Sequence, residues 1–222
     1  MPKIMKTWFN VWLYVISIMG GGVFFILIYN FNEMTFQQKS LGFLVFVLLL
    51  HILEENEFPG GFFYMYNSVF AKGTDESLFD RYPMNHLSDM ITNFCGMIIS
   101  TMFFFFSPNN ICVIIWLIVC IIEVPGHLVT GYKIMKKLSG KGKKTIYSPG
   151  FTTTVFGFLP LGVYMFIGLI NANITLKEIV LGLVLGAIVN FSAVQLPEKI
   201  LKNKDTIYVH DEGYGYFDKF LK

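Results

Sequence analysis

A chain of 222 residues with 54% hydrophobic and 14% charged residues is far more apolar than a soluble domain of its length, which makes the bilayer its expected solvent. The formal charge of +2 is too small to point to a nucleic-acid partner, and no nucleic-acid motif is present, so that class is excluded. The three cysteines, Cys95, Cys112 and Cys120, lie in apolar stretches without CxxC spacing and read as packing residues, with no disulfide expected.

Crossing a hydrocarbon core of about 30 Å takes roughly 20 helical residues, and six windows of that length occur. The first runs from Trp8 to Tyr29. Lys3 and Lys6 ahead of it imitate a secretory signal, but the run is too long and lacks a small-residue cleavage site, so an uncleaved helix is expected. The second, Phe36 to Glu55, is the weakest, because its apolar stretch from Leu41 to Leu50 is short and is followed by His51 and two glutamates. It spans only if those polar residues face protein. After it, the segment around Pro59, Gly60 and Gly61 is aromatic but too broken to span, and is expected to lie in the interface or re-enter. The remaining windows are His86 to Ser107, Ile111 to Tyr132, Gly150 to Ile170 and Thr175 to Gln195. Pro125 is expected to kink the fourth helix.

The expected fold is therefore all-α, a polytopic membrane helix bundle of about six transmembrane helices with the N- and C-termini cytoplasmic. Residues 1–196 form the transmembrane domain and 197–222 a cytoplasmic tail. The orientation follows from the basic residues: Lys3, Lys6, Lys72, Arg81, the lysines from Lys133 to Lys144 and those from Lys199 to Lys222 fall inside. Of the 17 basic residues, only Lys39 and Lys177 fall outside. The cell (plasma) membrane is the expected location. The Lys133 to Lys144 patch also offers a contact for anionic lipid head groups; protein partners are not indicated.

Ionisable groups within a span cost at least ~2.5 kcal/mol each on insertion scales, so each is a functional candidate. Here they gather at one depth, between the bilayer middle and the cytoplasmic face. His51, Glu54 and Glu55 lie in the second helix, and spacings of three and four put both carboxylates on the histidine's side. Glu123 and His127, four apart, repeat the pairing in the fourth. Histidine and glutamate at such spacings on facing helices are how bundles build metal sites. Two imidazoles and up to three carboxylates suit a divalent metal, zinc foremost, with iron or manganese also accepted. The alternative is that these groups are only buried hydrogen-bonded pairs that hold helices together, or that HILEE lies beyond the span in water. Asn93 and Asn190 are candidates either to support the ligands from outside or to serve as ordinary bonds between helices. His86 is expected to cap a helix or be solvated, His210 to be exposed, and Phe103 to Phe106 to face lipid.

HILEE at 51 to 55, FPGGF at 58 to 62, EVPGH at 123 to 127 and YSPGFTTT leading into FLPLG at 158 to 162 resemble, in order, the HXXEE-domain family of bacterial integral membrane proteins without an established activity. The resemblance covers roughly residues 44–165. Where the family usually reads Asn-Pro-Gly, this chain has Ser148, Pro149 and Gly150. HILEE is also similar in layout to the inverted zincin motif HxxEH, with Glu55 in place of the second histidine. On that analogy His51 and Glu55 are metal ligands, Glu54 is the general base, and Glu123 or His127 or both complete the coordination. The expected function is a metal-dependent hydrolase acting on a lipid-like or membrane-peptide substrate at the cytoplasmic leaflet. The rivals are a proton- or cation-coupled transporter and a structural or immunity membrane protein. The EExxxR motif of prenyl-processing proteases is absent, and four histidines are too few for a membrane desaturase.

Overall fold

The computed structural model describes residues 2–71 and 73–221; Lys72 and Lys222 of the topology argument lie outside the described residues. Among those described there is no strand, and six helices are long and apolar enough to cross a membrane. In chain order the helices are α1 (Lys3–Tyr29), α2 (Phe36–Asn56), a short α3 (Phe62–Phe70), α4 (His86–Phe106), α5 (Asn110–Lys137), α6 (Phe151–Asn171) and α7 (Leu176–Leu201). The spans begin where the sequence supplies caps. Thr35 with Gln38, Asn85 with Ser88 and Thr175 with Glu178 each form a reciprocal capping box, which satisfies amides that otherwise lack partners in the first turn. Pro125 does not interrupt α5, which continues to Lys137. By contrast, α6 carries a π-helical turn at Thr154–Phe158 and α7 another at Phe191–Gln195.

Helix α2 is the axis of the bundle, with Leu41, Leu44, Val45 and Ile52 fully buried against α1, α4, α5 and α6. Lipid tails are as apolar as leucine, so close backbone approach is what holds such a bundle. Gly182 and Gly186 bring α7 onto α5: a Cβ would stand 2.5 Å from Ile114 Cγ2 at the first and 2.7 Å from Ile118 Cδ1 at the second. Phe104, expected to face lipid, is instead in the core, because it lies on the face of α4 turned toward Gly42 of α2; Phe105 and Phe106 do face outward.

Residues 197–221 pack against the bundle. The first of them continue α7 to Leu201, and the rest lie on the loops at one end of the bundle. His210, expected to be exposed, stacks on Phe63 at 3.8 Å between ring centroids and on His86 at 4.8 Å, and Phe9 covers the far side of His86 at 4.0 Å. Burial in this stack, with His86 beside it, holds the His210 pKa well below its ordinary value. Tyr216 donates its amide to Gly60 O at 3.1 Å, and Phe217 is fully buried. Lys143 differs from the other lysines of its loop: it is buried at 2% exposure under the rings of Tyr216, Phe217 and Phe220. The start of α1, the start of α4 and the chain beyond α7 thus share one end of the bundle, and the last turns of α2 point to that end.

Candidate metal centre

His51 and Glu55 leave α2 on one face, and His127 and Glu123 leave α5 toward them. Glu55 Oε1 lies 3.3 Å from His51 Nε2 and 3.4 Å from His127 Nε2. Glu123 Oε2 lies 3.5 Å from His127 Nε2 and 4.0 Å from His51 Nε2. The first three side chains are almost wholly enclosed, whereas that of Glu123 is 34% exposed. Every one of these separations exceeds the ~2.7–3.2 Å of an N–H···O hydrogen bond. The three shorter ones fall in the roughly 3.3–3.6 Å that separates tetrahedral ligands ~2.0–2.2 Å from a zinc ion; the 4.0 Å from Glu123 to His51 is wider. One donor atom each from His51, Glu123 and His127 lies within 4.8 Å of the others, a group that could hold a metal ion. Glu55 borders the same point.

Glu54 turns the other way. It is buried at 6% exposure, and its two oxygens accept hydrogen bonds from the first turn of α6: Thr152 N at 3.0 Å, Thr153 N at 2.8 Å and Thr153 Oγ1 at 2.7 Å. An anion at a helix N-terminus is favoured by the unpaired amides there. The Thr153 hydroxyl, donating to Glu54, presents its lone pair to His51 Nδ1 at 2.9 Å. With the hydroxyl proton given to Glu54, the matching tautomer of His51 has its proton on Nδ1 and a bare Nε2 toward the cluster, the arrangement that fixes ring orientation in metal-binding histidines. Tyr147 stands by the same carboxylate, and burial together with Glu54 pushes its phenol up to about 12. His127 has no such support: its Nδ1 is buried without a hydrogen-bond partner among the described residues.

Gly150 closes the site from the α6 side. Its φ of +86° belongs to the left-handed region that favours glycine. A Cβ there would collide with His127 Cε1 and stand 2.9 Å from both Glu55 Oε1 and His51 Cε1. The turn from Ser148 to Gly150 thus lays bare backbone against three of the four cluster residues.

A family model described as a protein of unknown function with HXXEE motif matches residues 42–165, more than half of the chain. The chain belongs to the HXXEE family. No curated protein and no solved structure matches it. Within the HXXEE motif the two glutamates divide: Glu55 borders the cluster, and Glu54 holds α6.

Beside the cluster lies a cavity of about 300 Å³ between α2, α3, α4, α5 and α7. Its wall is mostly apolar, with His51, Glu55, Glu123 and His127 at one side. Asn93 and Asn190 both line it, but neither hydrogen-bonds to the cluster among the described residues. Asn93 donates to Asp89 Oδ1 at 2.9 Å, and Asn190 accepts from Gln195 at 3.2 Å. Sequence reasoning passed over three residues. Asp89, buried at 3% exposure, faces the cavity; the spacing of four to Asn93 was the available signal. Thr153 and Gly150 gave none beyond their place in YSPGFTTT.

Proposed function

We propose that this HXXEE protein is a metal-dependent hydrolase embedded in the plasma membrane, with its site near the cytoplasmic leaflet. One observation carries the reading: two imidazoles and a carboxylate from two helices converge with one donor atom each within 4.8 Å of the others, a set that could hold a metal ion. Two histidines and a glutamate with one position left open make a catalytic zinc set, and iron or manganese would also be accepted. A bound zinc ion would lower the pKa of its water to about 7 and polarise a carbonyl oxygen.

In this scheme His51 and His127 supply Nε2 and Glu123 supplies Oε2. Glu55, flanked by both imidazoles, is the group placed to act as base. Water adds to an ester or amide carbonyl, its proton passes to Glu55, and Glu55 returns that proton to the leaving oxygen or nitrogen as the bond breaks. Glu54 is given a positioning role in place of the base's role expected from the zincin analogy, since its carboxylate turns to α6 and accepts three hydrogen bonds from Thr152 and Thr153. The lysine-rich loop between α5 and α6 supports the cytoplasmic orientation, and its exposed lysines, without Lys143, would meet anionic lipid.

The test is elemental analysis of detergent-purified protein beside His51→Ala and Glu123→Ala. Near-stoichiometric zinc, iron or manganese lost from both variants is the expected result, and a wild type without metal overturns the proposal. A cation- or proton-coupled transporter is the second reading, favoured by the paired π-helical turns in α6 and α7, since interrupted helices mark transporter sites. Weak, readily exchanged metal would support it.

A further inference from the structure

The cavity beside the cluster has three features that bear on what enters it. First, it opens sideways. Ile122 and Gly126 on α5 and Val194 on α7 line it and are exposed, on helices whose outer faces meet lipid. The glycine contacts of α7 join it to α5 around Ile114 and Ile118, in the other half of both helices. The π-helical turn of α7 forms the cavity wall at Ala193 and Val194. Toward the loops the cavity is crossed by the hydrogen bond from the Tyr66 hydroxyl to Glu198, which joins α3 to α7.

Second, its wall is made of helix faces. The helix amides are already paired within their own helices, so a peptide drawn into this space would find partners only at the few polar side chains of the wall, among them Asp89, Asn93 and Asn190, and each N–H or C=O beyond these would stay unpaired at several kcal/mol. A hydrocarbon chain incurs no such cost. A volume of about 300 Å³ stands at the lower end of the ~300–1,000 Å³ of ligand cavities, room for one chain.

Third, besides His127 Nδ1 the wall holds a buried donor with nothing to donate to among the described residues. Trp116 is 4% exposed, lines the cavity, and its Nε1 has no hydrogen-bond partner among the described residues. A buried indole N–H ordinarily finds an acceptor. Trp116 precedes Glu123 by seven residues, two turns or roughly 10 Å along α5, so it and Glu123 share a face.

We infer that the cavity seats the single apolar chain of a membrane amphiphile, entering between α5 and α7, with its reacting polar group at Glu123 and His127 and a second oxygen two helical turns deeper, held by Trp116 Nε1. This rests on the metal-site reading only for the placement of the reacting group; the chain's seat stands on the cavity itself. It also chooses between the two substrate classes expected from the sequence, in favour of the lipid-like one.

The experiment reads Trp116 fluorescence in a Trp8→Phe, Trp12→Phe background, its fold checked by circular dichroism and gel filtration. If that background fails to fold, the difference between wild type and Trp116→Phe gives the same reading. The quencher is methyl stearate brominated at mid-chain. Competitors are methyl stearate and a mid-chain hydroxylated methyl stearate. The expected result is saturable quenching, lost in Ala193→Phe, with the hydroxylated competitor about tenfold tighter. That preference is expected to vanish in Trp116→Phe, followed there by displacement of the hydroxylated probe carrying a radiolabel. Quenching that never saturates, or that survives Ala193→Phe, overturns the inference, and equal competition by the two esters overturns the role of Trp116. Metal is measured in the same samples: saturable quenching without metal leaves the cavity assignment standing and removes the metal site, and metal without quenching does the reverse.

Discussion

Replacing Thr153 by valine keeps the side chain's shape and deletes one oxygen. In the structure that oxygen receives His51 Nδ1 at 2.9 Å and donates to Glu54 Oε2 at 2.7 Å. Glu54 keeps the amides of Thr152 and Thr153, so the first turn of α6 stays anchored. His51 does not: its Nδ1 proton is left buried and unpaired, at about 1–3 kcal/mol. At ~1.4 kcal/mol per tenfold, this is about 5- to 150-fold, which brackets the ~10–100-fold loss usual when a ligand histidine loses its outer partner. We expect Thr153→Val to bind zinc or cobalt ~10–100-fold more weakly, measured by competition with a chromogenic chelator in detergent, and Thr153→Ser to stay near wild type. Nitrogen-15 shifts of His51 would show the Nδ1–H tautomer in wild type and a mixture in the valine variant. A folded Thr153→Val protein with wild-type metal affinity would refute the chain from Glu54 through Thr153 to His51.

The two adjacent glutamates separate by assay: Glu54→Gln is expected to weaken metal binding about tenfold, whereas Glu55→Gln should keep the metal and lose turnover; loss of turnover in Glu54→Gln at full metal loading would restore it as the base. Gly150→Ala combines a left-handed φ, ~1–2 kcal/mol, with overpacking against His127, ~1–3 kcal/mol. Thermal unfolding should show a clearly larger drop than Gly142→Ala, where φ is also positive, +91°, but a Cβ meets nothing. Burial, then the nearby Lys219, holds Lys143 down to about 8 from 10.5. The unfolded chain therefore binds more protons between those values, and stability should rise as pH climbs from about 8 toward 10.5; a thermal-shift series should show this rise in wild type and not in Lys143→Met. Gly182→Leu should pull α7 from α5 and lower the unfolding temperature, while Gly21→Leu, with open space around its Cβ, should not.

The spans were legible because a bilayer imposes a length and an apolar composition that only helices of this kind meet, and His51, Glu55, Glu123 and His127 stood out because ionisable groups are costly there. The division between Glu54 and Glu55 was not legible. Both lie within a turn of His51, and what separates them is where Thr152 and Thr153 arrive from nearly a hundred residues away. Gly150 was hidden for a related reason: its positive φ and its approach to His127 are properties of a turn, and composition does not record them. His210 was misread as exposed because balanced charge and scattered aromatics look alike whether a segment floats or packs, and nothing in the lysine run set Lys143 apart from its neighbours. The cage of Tyr216, Phe217 and Phe220 forms only once the tail folds back over the α5–α6 loop.

The π-helical turns of α6 and α7 amount to one additional residue wound into each helix. In α6 it falls between two fixed points: Thr152 and Thr153, held by Glu54, and Met165 and Leu169, sunk in the core. Each residue of a helix advances its face by about 100°. Winding the same residues as regular α-helix, without the π turn, would turn everything on one side of 154–158 by about that angle, so that either the threonines or the core side chains would lose their partners. The additional residue lets the chemical end and the packing end of one helix keep independent angular settings.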